Sequence, residues 1–233
     1  MGAKMTGLGV AMAAPLGDGI RKFAEYDDAI RQVGAITGAT GAAFDRLNAK
    51  AKQLGATTSF SAVEVANLMT ELGRAGFDSR QIEDMTGSVM SLARATGTDA
   101  TLASGIFAAA IRQFNMEAGD ASRVADGLTA AANKSFNSVE SLGEALKYAG
   151  PVAADANMSL EETLAILGTL GNVGIQGSSA GNALKRLLTL SAAESEKFQK
   201  VFGVATKDAA GNARPLVDVL GEVAEATKDL GSS

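Results

Sequence analysis

Apolar residues in this 233-residue chain return every three or four positions, and strict alternation is scarce almost everywhere. Val65, Leu68, Leu72 and Ala75 form one such stripe, and Ile82, Met85, Val89 and Leu92 a second. Val139, Leu142, Leu146 and Ala149 make a third, and Leu160, Leu164, Leu167 and Gly171 a fourth. Leu216, Val219, Leu220 and Val223 repeat the pattern near the C-terminus. A stripe covers one side of a helix, so each helix must dock on others. Small residues make close docking feasible: 45 alanines and 27 glycines are nearly a third of the chain. The expected fold is all-α, a compact module of about ten short helices.

Helix starts carry capping chemistry. Ser61 with Glu64 reads as a capping box, in which hydroxyl and carboxylate each satisfy a free backbone N–H. Asn137 with Glu140, Ser159 with Glu162 and Asp78 with Gln81 follow the same logic. Phe60 and Phe77 precede two of these caps, where Val65 and Ile82 can complete hydrophobic staples. Gly55, Gly76, Gly97, Gly119 and Gly150-Pro151 are read as helix ends. Ser59-Phe60-Ser61-Ala62-Val63-Glu64 resembles Ser135-Phe136-Asn137-Ser138-Val139-Glu140, but the match decays after one turn, so shared capping explains it better than a repeat array.

Four segments follow. Residues 1–16 are a Gly/Ala-rich lead-in, expected to continue from upstream sequence, and 17–200 form the helical core. Residues 201–215 carry turn-formers around Val204, Thr206, Asp208, Gly211, Asn212 and Arg214, so they read as a loop or small β-hairpin. Residues 216–233 are a C-terminal helix leading into downstream sequence. The apolar run Leu8–Leu16 is broken by glycine and has a thin positive flank, which makes a poor signal peptide. No segment reaches the roughly 18–20 apolar residues that span a bilayer, so this portion is read as soluble.

Chemistry is narrowed by absences. The chain has no Cys and no His, which removes disulfides, thiol nucleophiles, Cys/His zinc sites and the usual neutral-pH general base. A net charge of −5 and dispersed basic residues, with Arg21-Lys22 and Lys185-Arg186 the only dibasic steps singled out, argue against sequence-specific nucleic-acid binding. Gly177-Ser178-Ser179-Ala180-Gly181 formally matches the G-x-S-x-G nucleophile elbow, but no strand precedes it and no His can serve it. It is read as a Gly/Ser loop in which Ser178 or Ser179 caps the next helix. The acid pairs Asp27-Asp28, Glu83-Asp84 and Glu161-Glu162 point in divergent directions on a helix and form no site alone. Met69, Met85, Met90 and Met116 read as helical core filling. No catalytic, metal or cofactor residue is assigned, and the chain is read as a non-enzyme without cofactors.

From Pro15 to Leu230 the order of motifs resembles the core region of phage tail tape measure proteins of the TP901 type. The resemblance opens with Pro15-Leu16 and the helix Phe23-Ala24-Glu25-Tyr26-Asp27-Asp28-Ala29-Ile30-Arg31-Gln32-Val33. It continues through Leu54-Gly55-Ala56-Thr57-Thr58-Ser59-Phe60-Ser61, Leu72-Gly73-Arg74-Ala75-Gly76-Phe77 and Leu92-Ala93-Arg94-Ala95-Thr96-Gly97. Val124-Ala125-Asp126, Ser159-Leu160-Glu161-Glu162, Gly174-Ile175-Gln176-Gly177-Ser178-Ser179-Ala180-Gly181 and Gly203-Val204 with Asp208 and Gly211 complete it. The resemblance implies a structural virion protein of the tail tube lumen or tail tip, which sets tail length and leaves ahead of the DNA. It implies tail-tip, distal-tail and tail-tube partners, self-association in a few copies, host membrane contact at ejection, and residence in the host cytoplasm during assembly. It carries over no catalytic or metal residue.

As one rod, 233 residues would span ~350 Å at about 1.5 Å per residue. The capping signals chop the chain instead, so the expectation is a folded module and not the measuring rod. Two other functions stand beside a tail-assembly module: a membrane-active helical segment released during DNA entry, and a carboxylate-based cell-wall hydrolase.

Overall fold

The computed structural model describes residues 5–193, 195–211 and 214–227. Among them are eleven α-helices and one short 3-10 helix, and no strand. The helices are α1 (Met5–Thr37), α2 (Ala42–Thr57), α3 (Ala62–Arg74), α4 (Ser79–Thr96), α5 (Ala100–Gln113), α6 (Ala121–Lys134), α7 (Val139–Asp155), α8 (Leu160–Asn172), α9 (Gly177–Ala193), α10 (Ser195–Phe202) and α11 (Leu216–Thr227). The all-α expectation holds, although α1 at 33 residues is not short. Residues 1–4 of the expected lead-in, Asn212, and 228–233 of the expected last helix lie outside the described residues.

The chain divides into two compact units. One contains residues up to Arg94 together with Asp99–Ala108, the other Ala95–Thr98 and Ala109 onward. In the first unit α3 is packed by α1 and α2. The stripes are buried: Val65, Leu68, Leu72, Ile82, Met85, Val89 and Leu92 are all inside. Each fully buried Leu or Ile contributes about 1.5–3 kcal/mol of apolar transfer. Two polar ties cross this core. The buried Ser104 hydroxyl donates to the Leu68 carbonyl at 3.0 Å, and the Tyr26 hydroxyl donates to Asn48 Oδ1 at 2.6 Å. Burial pushes the Tyr26 phenol above its ordinary range.

In the second unit α7 packs on α9 and α8, and α6 lies on α8. A smaller core forms where Phe198, Val204 and Val219 gather against Leu187, Phe202 and Val223. In the segment expected as a loop or hairpin, Val201 and Phe202 belong to α10, and the other described residues form turns with a single bridge position at Lys207. Gly211 N–H bonds to the Asp208 carbonyl at 3.0 Å to close a turn, and Arg214 N–H reaches the Thr206 carbonyl at 2.9 Å.

Capping boxes form at Ser61–Glu64 and Ser159–Glu162 as expected. Asp78 Oδ1 likewise accepts from Gln81 N–H, while Gln81 Oε1 accepts from Asp78 N–H. The expected Asn137–Glu140 box does not form. Ser138 is the cap, accepting from Ser141 N–H at 3.2 Å, while Asn137 turns inward. Its Nδ2 donates to the Leu167 carbonyl and Ser135 Oγ, both at 3.1 Å. The buried Leu167 backbone within α8 has captured an amide that would otherwise serve its own helix.

Helix ends depart further from the glycine reading. Gly76 and Gly97 do end helices, with φ of 84° and 69°. Gly55 lies inside α2, and Gly119 lies in the 3-10 helix Ala118–Asp120. Gly150-Pro151 does not stop α7, which runs to Asp155. Proline removes a bond to the Lys147 carbonyl, and both residues are exposed, so water can satisfy that oxygen. The true ends of α5 and α7 are Asn115 and Asn157, in left-handed conformation at φ 51° and 58°. Each carries the paired closing bonds of a left-handed cap: Met116 N–H to the Ile111 carbonyl and Asn115 N–H to Arg112, then Met158 N–H to Ala153 and Asn157 N–H to Ala154. Met116 therefore sits beyond its helix and not within it.

Replacing Asn137 with Ala removes a buried donor to the Leu167 carbonyl and Ser135 Oγ and the acceptor of the Ser141 hydroxyl, and is expected to cost about 1–3 kcal/mol. Phe136→Ala next to it, on an exposed side chain, is expected to change stability by less than about 0.5 kcal/mol. Chemical denaturation of the two variants checks the contrast.

Candidate functional site

Helices α6 and α8 run side by side in the second unit, and residues of low volume line the furrow between them. Gly127, Ala130 and Ala131 come from α6, and Leu164, Ala165 and Gly168 from α8, around an open groove of about 310 Å³. The groove is mostly apolar, because the faces that carry these residues hold no acid or base except at the ends. At one end Arg123 donates to both Glu161 oxygens, at 2.5 and 2.9 Å. Burial pushes the Glu161 carboxyl up, but the hydrogen bonds and charge of Arg123, with a backbone bond, outweigh it and hold the carboxyl below its ordinary range. At the other end stand Lys134, Ser135 and Asn172.

Beyond that end lies an exposed apolar rim. Phe136, Val173 and Ile175 are 77%, 70% and 39% exposed. Two amides hold this rim in place: Asn172 Oδ1 accepts from Phe136 N–H at 3.1 Å, and Gln176 Nε2 donates to the Phe136 carbonyl at 2.5 Å. The α6–α7 loop is thereby fastened to the α8–α9 loop, with its phenyl ring outside. A second cavity of about 560 Å³ is lined by Met158, Leu188, Thr206, Arg214 and Leu216 among others. There Arg214 is committed to the Ala205 carbonyl and to Glu222.

The elbow-like motif occupies the start of α9. Gly177, at φ 57°, is its first residue, and its N–H is taken by Ser141 Oγ at 3.0 Å. Ser178 and Ser179 are exposed residues within the first turn. The capping hydroxyl is therefore supplied by α7, and the reading of Ser178 or Ser179 as the cap is corrected. Gly181 is the structural member of the motif: a Cβ there would stand 2.3 Å from the Ala145 carbonyl oxygen.

The acid pairs go to separate tasks. Asp27 pairs with Arg31 at 2.7 Å and Glu83 with Arg46 at 3.2 Å. Glu161 pairs with Arg123, and Glu162 completes the Ser159 cap. Among the described residues no three His, Cys, Asp or Glu side chains gather to hold a metal ion. Nor, among them, is any helix long and apolar enough to cross a membrane.

Residues 48–233 match the family model described as phage-related minor tail protein. The chain belongs to that family. It is 35% identical over 241 aligned residues to a tape measure protein of Pneumococcus phage Dp-1, covering 99% of this chain and 21% of that protein. It is also 30% identical over 230 residues to a probable tape measure protein of Escherichia phage P2, covering 93% of this chain and 28% of the relative. The chain thus spans about a fifth to just over a quarter of the curated relatives it matches. No solved structure matches it.

For this minor tail family member, sequence reasoning missed the groove. Lys134, Asn172, Phe136 and Val173 belong to no catalytic pattern, and only the Phe136 match to Phe60 drew notice. The legible signal was small residues on the outward sides of two neighbouring helices, and from sequence those two helices could not be known as neighbours.

Gly181→Ala is expected to cost about 1–3 kcal/mol, since backbone must move, while Ser179→Ala stays within about 0.5 kcal/mol. Thermal melts compare them. For Glu161, a folded pKa below the unfolded one means stabilisation that is present above the unfolded pKa and lost as pH falls through the folded value. Melting wild type and Glu161→Gln at pH 7 and at pH 3 is expected to show a gap that narrows in acid.

Proposed function

We propose that this chain is a structural segment of a tape-measure-type protein in a phage or prophage tail, acting in tail assembly and length determination. Membership of the minor tail family, with two relatives named as tape measure proteins that align over nearly the whole chain, carries the reading. The segment works in a few copies by contact with tail-tip, distal-tail and tail-tube proteins, and travels with the genome when the tail empties. It resides in the virion tail, and in the host cytoplasm while tails are built.

The structural role fits the chemistry of these side chains. Of the acid pairs, Asp27, Glu83 and Glu161 are engaged in ion pairs and Glu162 in a helix cap, and the one serine motif starts a helix. The physical contribution of this segment is then binding faces on short helices: after α1 they run 8–18 residues each, about 12–27 Å.

A phage whose tape measure gene carries an epitope tag in the loop after Asp208 is expected to yield purified tails that retain the tag. Tails of normal composition that lack it would overturn the proposed role. The same pure chain is expected to leave a cell-wall zymogram without clearing, which separates the structural reading from a hydrolase.

A further inference from the structure

Asn115, just past α5, is left-handed, and 77 residues earlier Gly38, just past α1, is left-handed too. The same interval separates much else. Thr58 Oγ1 donates to the Leu54 carbonyl and accepts from Phe60 N–H, and Ser135 Oγ repeats both bonds with Ala131 and Asn137. Ser61 caps α3 and Ser138 caps α7. Left-handed Gly97 follows α4, and left-handed Gly174 follows α8. Helices α3, α7 and α11 begin at Ala62, Val139 and Leu216, and α5 and α9 at Ala100 and Gly177. Every step in these sets is 77 residues. The Phe60–Phe136 likeness in sequence spans 76, one residue out of step, which is why it decays after a turn.

Contacts between helices keep the interval, which capping alone would not produce. Ile36 of α1 lies so close to Gly73 of α3 that a Cβ there would collide with it, and Gln113 of α5 lies the same way on Gly150 of α7. Ser104 of α5 donates to the Leu68 carbonyl of α3, and Gly181 of α9 rests on the Ala145 carbonyl of α7. In both cases adding 77 to the two residues of one contact gives the other. Buried positions follow. Tyr26, Ile30 and Val33 of α1 answer to Ala103, Phe107 and Ala110 of α5, and Leu47 and Ala51 of α2 to Val124 and Leu128 of α6. Val65 of α3, Leu142 of α7 and Val219 of α11 are buried at one shared position.

The interval shifts in one place, by about a turn. Helix α7 has 17 residues against 13 in α3, and α8 has 13 against 18 in α4. Between those two changes the interval is 81, from Gly76 to Asn157 and from Asp78 to Ser159. The furrows keep the same register. Leu54, Thr58, Gly87 and Ser91 line the one between α2 and α4, and Ala131, Ser135, Gly168 and Asn172 line the one between α6 and α8.

We infer that this segment is a tandem repeat of one four-helix block: α1–α4 is the first, α5–α8 the second, and α9–α11 opens a third. Leading helices serve twice. The start of α9 closes the second block at Ala145, and Leu187 further along joins Val219 and Val223 in the core of the third. In α5 the two tasks fall to different units, Ser104 to the first and Gln113 to the second, which is why the division of the chain runs through this helix. The stability of a repeat protein is approximately a sum over blocks and neighbouring contacts, so a whole block can be added in phase. The inference concerns how the body is built and stands apart from the tail role.

Two insertions into the full chain test it. A second copy of residues 100–176 placed after Gln176 adds a block in phase, and the same copy placed after Asn157 adds it out of phase, between α7 and α8. Both separate α7 from α9 by the same length, so without a repeat both are equally disruptive. The in-phase chain is expected to keep the parent's far-ultraviolet ellipticity per residue and to melt at least about 5 °C above the out-of-phase chain. Insertions that melt alike, folded or not, overturn the repeat. The absence of cysteine allows a second comparison without inserts. Val33→Cys with Met69→Cys, Ala110→Cys with Leu146→Cys, and Leu187→Cys with Val223→Cys are equivalent pairs in the three blocks. Under mild oxidation each is expected to close at least about tenfold faster than its control, in which Glu71→Cys, Tyr148→Cys or Glu225→Cys is the second partner. A pair that closes no faster than its control overturns the equivalence.

Discussion

Helices in this protein touch backbone to backbone, and the missing side chains that permit this set the spacing of what surrounds them. Gly181 brings α9 onto the Ala145 peptide of α7, closer than any Cβ would allow. Gly55 does the same for α2 against the first residue of α3, where a Cβ would stand 2.5 Å from the Ala62 nitrogen. With contacts this short, side chains at the neighbouring positions interdigitate without large aromatic residues. That is how a chain with 5% aromatic content fills its cores.

Helix termini impose the second requirement, because every short helix leaves N–H and carbonyl groups without partners inside it. The protein meets it repeatedly with the same pieces: a hydroxyl or carboxylate at the start, and a left-handed Gly or Asn at the end. Where a terminus abuts another helix, the cap is lent across. Ser141 of α7 serves the first residue of α9, and Asn172 at the end of α8 serves the Phe136 N–H in the loop before α7. These loans tie secondary structure to packing, so a residue there cannot be read from its own helix alone.

The two units use this common design to different ends. The first closes the furrow between its paired helices with Phe60, Leu54 and Met90, whereas the second leaves the furrow open and turns Phe136 outward. An open furrow floored with glycine and alanine leaves room for close approach of another backbone. The chain belongs to a minor tail family and spans about a fifth to just over a quarter of the two relatives it aligns with.

Much of the local structure was legible in the sequence, because it depends on neighbours within four residues. The 3–4 spacing of Ile82, Met85, Val89 and Leu92 and the Ser61–Glu64 and Ser159–Glu162 boxes required no knowledge of the fold. Asparagine ends were less legible, since Asn at left-handed φ looks like any polar loop residue until the closing bonds are seen. Gly150-Pro151 misled for a related reason: whether proline ends a helix depends on whether water or a partner can satisfy the freed carbonyl. What only the tertiary structure decided was which faces meet. Pairing α6 with α8, turning Asn137 inward and Phe136 outward, and leaving a groove beside Lys134 all depend on contacts some 30 residues apart, and side-chain periodicity specifies a helix's buried side without naming its partner.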